Sequence, residues 1–249
     1  MLKEFAADLH IHTCLSPCAD SEMIPPNILN MAKLLGTKII GISDHNSAKN
    51  LQAMIEASRN YEILVLPGIE VQSKEEVHVL CLFERLKEAL EFQDFIYSHL
   101  PQKKNYPQYF GHQYVVDAQG NVKGEEERLL IASTDLSVDE ILKNAYKLGG
   151  IVIPAHIDRN TFGILGQLGF IPEYLRVDAV EFSKNISLKE ARGKFPFIFD
   201  RFPVIFSSDA HCLKDMVFQK TYFLLKEPTF EEIKKALIGI GGRGVVLRE

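Results

Sequence analysis

Asp8-Leu9-His10-Ile11-His12-Thr13 closes the first apolar stretch of the chain, and its reading decides the rest. Side chains alternate across a strand, so Asp8, His10 and His12 are expected on one face and Leu9 and Ile11 on the other. Two imidazoles one pleat apart can reach a single ion, and Asp8 is placed to orient a ring. A His-x-His pair alone also arises from satisfied core histidines, so its weight depends on what recurs downstream. The same residue types do recur. Ser43-Asp44-His45 follows 39–42, Glu70 follows 63–66 through Pro67-Gly68, Pro154-Ala155-His156 follows 151–153, and Asp209-Ala210-His211 follows 204–206. His78 breaks the pattern, because it opens the apolar run 78–83 instead of closing it. Either that strand runs against its neighbours or His78 reaches the same place differently. Only His99 and His112, of eight histidines, fall away from predicted strands.

Outward from these positions, short apolar runs alternate with helical patterns. Strands are predicted at 5–10, 38–43, 63–67, 77–83, 151–154, 179–182, 204–206, 221–225 and 245–247. Pro25-Pro26 opens a helix over 27–35 that Gly36 closes. Ser137 with Glu140 forms a capping box before 141–148, and Thr229 with Glu232 repeats the device before the last helix. Alternating strands and helices predict βα units and a largely parallel sheet. In a parallel barrel the carboxyl ends of the strands converge on one mouth, so the recurring ligand types would meet there. The stretch 100–127, after a helix at 85–98, interrupts the rhythm: it is polar, rich in Pro, Gly, Gln and Asn, and reads as a binding loop or a tolerated insertion.

Composition excludes several classes. The 249 residues suffice for one α/β barrel, and the 1–249 range is read as a single barrel domain with a long loop or insertion at about 100–127. With Lys plus Arg at 28 and Asp plus Glu at 33, the net charge is −5, the wrong sign for a protein gripping a duplex through its phosphates. Duplex nucleic acid is therefore not expected as a partner. No apolar run approaches the ~20 residues of a membrane span, and the N-terminus has no signal-peptide plan. Four cysteines (Cys14, Cys18, Cys81 and Cys212) are too few for a disulfide scaffold and are expected as reduced thiols in a cytoplasmic protein.

Taken in order, the signatures Asp8-Leu9-His10-Ile11-His12-Thr13, Ser43-Asp44-His45, Gly68-Ile69-Glu70, Val77-His78-Val79-Leu80, Pro154-Ala155-His156 and Ser207-Ser208-Asp209-Ala210-His211 resemble the PHP superfamily, the polymerase and histidinol phosphatase domains. The resemblance implies an α/β fold, a distorted seven-stranded, TIM-like (β/α) barrel with two or three divalent metals (Zn, Mn or Fe) at the carboxyl-end mouth. It implies that His10, His12, Glu70 and Asp209 hold one metal, that Glu70 bridges to a second held by His78 and His156, and that His45 and His211 hold a third. The third site has one further ligand in the family. Counting forward from His12 favours Cys18, and aligning backward from Pro25 favours Asp20. Asp20 is preferred, because carboxylate tolerates Mn, Fe or Zn alike, whereas thiolate biases a site towards Zn.

Adjacent metals that share a hydroxide suit phosphate ester hydrolysis, where charge develops on phosphoryl oxygens. The expected activity is a metal-dependent phosphoesterase acting on a small-molecule or nucleotide phosphomonoester, with Glu70, Asp209 and His211 as catalytic groups. Arg159 and Lys184 are the candidate phosphate contacts, and Glu181 a possible partner of a ligand ring. Lys103, Lys104, Tyr106, Tyr109 and Tyr114 in the long loop could grip a nucleotide, though the tyrosines more readily pack the loop down. An exonuclease acting on terminal nucleotides, a non-catalytic metal-binding scaffold and an amidohydrolase are the competing readings.

Overall fold

A computed structural model of the protein describes residues 1–217 and 219–249. The described residues form strands β1 (Lys3–Ile11), β2 (Ile39–Ile42), β3 (Leu64–Gln72), β4 (His78–Leu82), β5 (Tyr114–Val116), β6 (Val122–Glu125), β7 (Ile151–Pro154), β8 (Val180–Phe182), β9 (Val204–Phe206), β10 (Thr221–Leu225) and β11 (Gly244–Leu247). The longer helices are α1 (Pro25–Leu34), α2 (Leu51–Ser58), α3 (Leu86–His99), α4 (Val138–Lys147) and α5 (Phe230–Leu237).

These strands build a distorted α/β barrel. β1, β2 and β3 are parallel, β4 is antiparallel to both β3 and β7, and β8 is parallel to β9. Backbone bonds from Asp178 to Val152 and from Ile157 to Glu181 join β7 to β8. The ring closes where His12 N–H donates to Ala210 at 3.0 Å, beside a parallel bridge between Ile11 and Ala210. β10 and β11 lie outside this ring, β10 antiparallel along the first half of β1 and β11 antiparallel to β10, so the hydrogen-bonded sheet runs β11-β10-β1-β2-β3-β4-β7. The reversal of β4 settles His78. Because that strand runs against its neighbours, its first residue stands at the mouth where the others end.

Two apolar layers result. Ala7, Leu9, Ile39, Leu66, Leu80, Leu82, Ile151, Ile153 and Ile205 fill the barrel interior. Ile40, Ile42, Val65, Val79, Val152, Val180 and Val204 point outward and pack with α1, α3 and α4 residues such as Leu29, Phe92 and Ile141. Strands buried on both faces read as continuous apolar runs, which is why the sequence shows so little alternation. Each fully buried Leu or Ile contributes roughly 1.5–3 kcal/mol.

β1 departs from regular alternation. Its register against β2 shifts between Asp8 and Ile11, and the Leu9 carbonyl lies so near Gly41 that a Cβ there would sit 2.3 Å from it. A one-residue irregularity flips the side chains beyond it. Leu9 therefore faces the barrel interior and Ile11 the outer layer, whereas Asp8 turns to Ser208 N–H (3.0 Å) and Gln219 Nε2 (3.3 Å). The expectation that Asp8 shares a face with the histidines and orients a ring is corrected accordingly.

Candidate metal centre

The mouth gathers His10 from β1 and His12 just past its end, His45 from the loop after β2, Glu70 from β3, His78 from β4, His156 from the turn after β7, and Asp209 and His211 from the loop after β9. His156 and Asp209 adopt positive φ, 31° and 48°, a conformation that costs of order 1–3 kcal/mol and is held by its surroundings. Glu181 accepts the His156 N–H at 3.1 Å and so anchors that turn.

Distances identify the donor sets. His10 Nε2 lies 3.3 Å from Glu70 Oε1 and 3.3 Å from Asp209 Oδ1, and His12 Nε2 lies 3.4 Å from Glu70 Oε2 and 3.2 Å from Asp209 Oδ1. His78 Nδ1 and His156 Nε2 approach Glu70 Oε1 at 2.9 and 3.3 Å, and His45 Nδ1 approaches Glu70 Oε2 at 2.9 Å. Two ligands on one tetrahedral ion at ~2.05 Å stand about 3.3–3.4 Å apart, the spacing of the His10–His12–Glu70–Asp209 set. The triads His10-His12-Glu70, His45-Glu70-His78 and His12-His45-His211 each bring their ligand atoms within 4.8 Å of one another.

A second observation supports this fit. Glu70 Oε2, both ring nitrogens of His78 and His156 Nδ1 are buried without a hydrogen-bond partner among the described residues. Several lie close to opposite charge, yet the angles do not bring an N–H onto an oxygen lone pair. Buried polar atoms are normally paired, and imidazoles that share a carboxylate in this way suit a divalent cation. Burial alone would raise the carboxyl of Glu70, but the charges of His78, His10 and His45 reverse this and hold it well below its usual range. At Asp209, burial is likewise outweighed, chiefly by the charge of His10.

The rings are held from behind. His10 Nδ1 lies 3.0 Å from buried Glu181 Oε1. His12 Nδ1 meets Ser16 Oγ at 2.8 Å, and Ser16 donates on to Asp44 at 2.7 Å. A proton on each Nδ1 leaves Nε2 free to face the cluster. Glu181 fills the role anticipated for Asp8. Ser16 carried no signal in the sequence, because its contact depends on the turn after β1.

Cys18 and Asp20 part company here. Cys18 shares the cavity wall with His45 and His211; burial would raise its thiol, but the charge of His45 outweighs this and brings it to about 6. Asp20 instead caps its own turn, accepting Glu22 N–H at 3.1 Å, and does not line the cavity. Asp20, preferred from the sequence, thus stands off the cavity that Cys18 lines. Arg159 stands at the rim with Nη1 2.7 Å from Asp209 Oδ2. Lys184 is elsewhere, paired with Asp215 at 2.8 Å and lining a separate cleft with Ser207 and Lys220. The cavity is about 210 Å³, lined by Cys18, His45, His78, Arg159 and His211 and by Phe162, whose ring stacks on His78 at 4.5 Å. Nothing in the sequence had marked Phe162.

The sequence pattern that defines the PHP domain matches residues 8–153, more than half of the chain. The chain belongs to the PHP-domain family. An uncharacterised protein of Methanocaldococcus jannaschii is 31% identical over 99 residues, 36% of this chain and 58% of that protein. The lesion-specific endonuclease Q of Pyrococcus furiosus shares the fold with a TM-score of 0.74 at 22% identity, over 98% of this chain and 58% of that one. A protein of Bifidobacterium adolescentis, described as a metal-dependent phosphoesterase, gives 0.57 at 16% identity over 96% and 97% of the two chains. This chain thus spans a little over half the length of the curated relative and of endonuclease Q.

One expectation is overturned by these comparisons. Endonuclease Q, superposed over 97% of this chain with a TM-score of 0.75, is seen in complex with a 27-mer duplex bearing an abasic lesion at its active site. The −5 charge therefore does not exclude duplex nucleic acid. Net charge sums the whole surface, whereas phosphate meets only the local field of the mouth. No helix among the described residues is long and apolar enough to cross a membrane.

Proposed function

We propose that residues 1–249 act as one barrel unit that hydrolyses phosphate esters with the help of two or three divalent metal ions. The observation that carries this reading is the convergence of six imidazoles, Glu70 and Asp209 in one cluster, four of the rings lining a cavity with Arg159 at its rim. His10, His12, Glu70 and Asp209 form the first donor set, Glu70 with His78 and His156 the second, and His45, His211 and Cys18 the third. Ions in these sets would supply a nucleophile from water at neutral pH and neutralise charge developing on phosphoryl oxygens. Glu70, Asp209 and His211 are the groups whose loss abolishes turnover. Glu181 and Ser16 hold the proton on Nδ1 of His10 and His12. Arg159 exchanges its contact with Asp209 for a phosphoryl oxygen, a charge-assisted bond that fixes the substrate. Lys184 has no such place while it pairs with Asp215.

A cavity of about 210 Å³ is smaller than the ~300–1,000 Å³ of typical ligand pockets, so it suits a phosphoryl group whose remainder lies over the rim. A small-molecule or nucleotide phosphomonoester is the leading substrate class. A phosphodiester within nucleic acid is the second reading, favoured by the likeness to endonuclease Q over nearly the whole chain. The test is hydrolysis by metal-reconstituted protein of a panel of monophosphates, oligonucleotides and a duplex containing an abasic site. Turnover that disappears with chelator, and whose KM rises about tenfold or more in Arg159→Ala, is expected. Full metal loading without hydrolysis of any member of the panel would count decisively against the reading.

A further inference from the structure

Residues 105–132, which overlap the stretch that interrupts the βα rhythm, are tied to two of the three loops that carry the third donor set. On one side it meets the 13–18 turn. Gly111, at φ 96°, lies so close to Pro17 that a Cβ would fall 1.9 Å from the Pro17 carbonyl oxygen. Tyr114 N–H donates to the Cys14 carbonyl at 2.9 Å. Asn50 joins the two: its Nδ2 donates to Thr13 Oγ1 at 2.9 Å and to the Tyr114 carbonyl at 3.0 Å, and its Oδ1 accepts Val116 N–H at 3.0 Å. Thr13 and Ser16 both donate to Asp44, and Ser16 holds His12, so the tie reaches a ligand ring. On the other side, Asn46, next to His45 and at φ 50°, donates through Nδ2 to the Leu130 and Ala132 carbonyls at 2.7 and 3.0 Å.

The second donor set is anchored elsewhere. His78 N–H donates to the Phe162 carbonyl at 2.9 Å, and His156 N–H to Glu181. From this asymmetry we infer that residues 105–132 are a brace that builds the third donor set, with Gly111 as the positioning residue that sets the Pro17–Cys18 corner and holds Cys18 on the cavity wall beside His45 and His211. The inference rests on the metal reading above and adds a role for a segment that supplies no ligand itself. Only glycine fits at 111, for two independent reasons. An L side chain is strained at that φ, and its Cβ would strike a backbone carbonyl that cannot retreat without moving Cys18.

Cadmium reconstitution of the full chain tests this, with bound metal counted by mass and the ultraviolet charge-transfer band of a cadmium–thiolate bond as the readout. Gly111→Ala is expected to lose the band and one equivalent of metal, with affinity at that site down at least about tenfold, the usual cost of disturbing what orients a ligand. Gly124→Ala, in the same 105–132 segment but with open space where its Cβ would go, keeps both. Cys18→Ser loses the band with the brace intact. If Gly111→Ala does not fold, Asn50→Asp, which keeps the volume but loses the donors to Thr13 and Tyr114, carries the same expectation. A Gly111→Ala protein with full band and full stoichiometry overturns the inference, as does one that loses every equivalent together. Absence of the band from the unaltered protein also overturns it, while metal-dependent phosphoester hydrolysis in that protein would leave the proposed function standing.

Discussion

At the scale of single residues, the turn after β1 sets Cys18, and not Asp20, on the cavity wall. Both stand at plausible distances from His12 in sequence, and only the turn after β1 decides which side chain faces His45 and His211. Cys18→Ser is expected to lose one metal equivalent and Asp20→Ala none, as counted by mass on the reconstituted protein. Equal loss in both variants would restore the carboxylate. Glu181 makes a second test. Glu181→Gln keeps the shape but replaces the carboxylate that meets His10 Nδ1 with a weaker acceptor. Metal affinity at the His10 set should fall roughly 10–100-fold, read by competition with a chromophoric chelator, with the fold retained by circular dichroism. Unchanged affinity would reduce Glu181 to an anchor for the His156 turn.

At the scale of elements, local punctuation proved readable where it acts over three or four residues. Ser137 accepts Glu140 N–H and Glu140 returns to the Ser137 N–H, the full capping box before α4. Thr229 caps α5 in the same way, but the Glu232 side chain does not return to it. It is taken instead by Arg243, through Nε at 2.6 Å and Nη2 at 2.8 Å, a tie between α5 and the start of β11. The Arg243 hydrogen bonds, aided by Lys226 N–H, hold the Glu232 carboxyl down to about 2 from an ordinary 4.5. A depressed folded-state value means stability that is present above pH 4.5 and is lost as the pH falls towards 2. Melting temperatures of the unaltered chain and Glu232→Gln should therefore differ at neutral pH and converge across that window. A difference that persists to pH 2 would show that the pair acts through packing alone. The 100–127 stretch was visible only as a break in rhythm. Its short strands β5 and β6 pair with each other, and its partners, the 13–18 turn and Asn50, lie far away in sequence.

At the scale of the whole molecule, the mouth collects carboxylates and imidazoles from strand ends across the sequence. Such a cluster is stabilised when cations bind the folded state and not the unfolded chain. Divalent metal at about a hundredfold excess over its Kd contributes ~2.7 kcal/mol, and at roughly 2–4 °C per kcal/mol for a chain of this size the melting temperature should rise about 5–10 °C. Calorimetry with chelator, then with metal restored, checks this. No shift on restoring Zn, Mn or Fe would remove the metal centre from the account. The same scale carries the correction about nucleic acid, because a net charge describes the far field and the mouth presents a local one.

The sequence by itself determined the alternation of strands and helices, the helix caps, and the recurrence of His, Asp and Glu at strand ends, since each is written in neighbours a few residues apart. Chain order sufficed to pick out six signatures of a family whose defining pattern the chain matches. Tertiary structure alone decided the rest. The slip in β1 turned Asp8 away, the reversed β4 brought His78 to the mouth, and the turn after His12 put Cys18 rather than Asp20 on the cavity wall. Lys184 went to Asp215, and Phe162 and Ser16 came in unannounced. These outcomes depend on side-chain direction, which one inserted residue inverts, and on contacts between segments tens of residues apart, which no local pattern records.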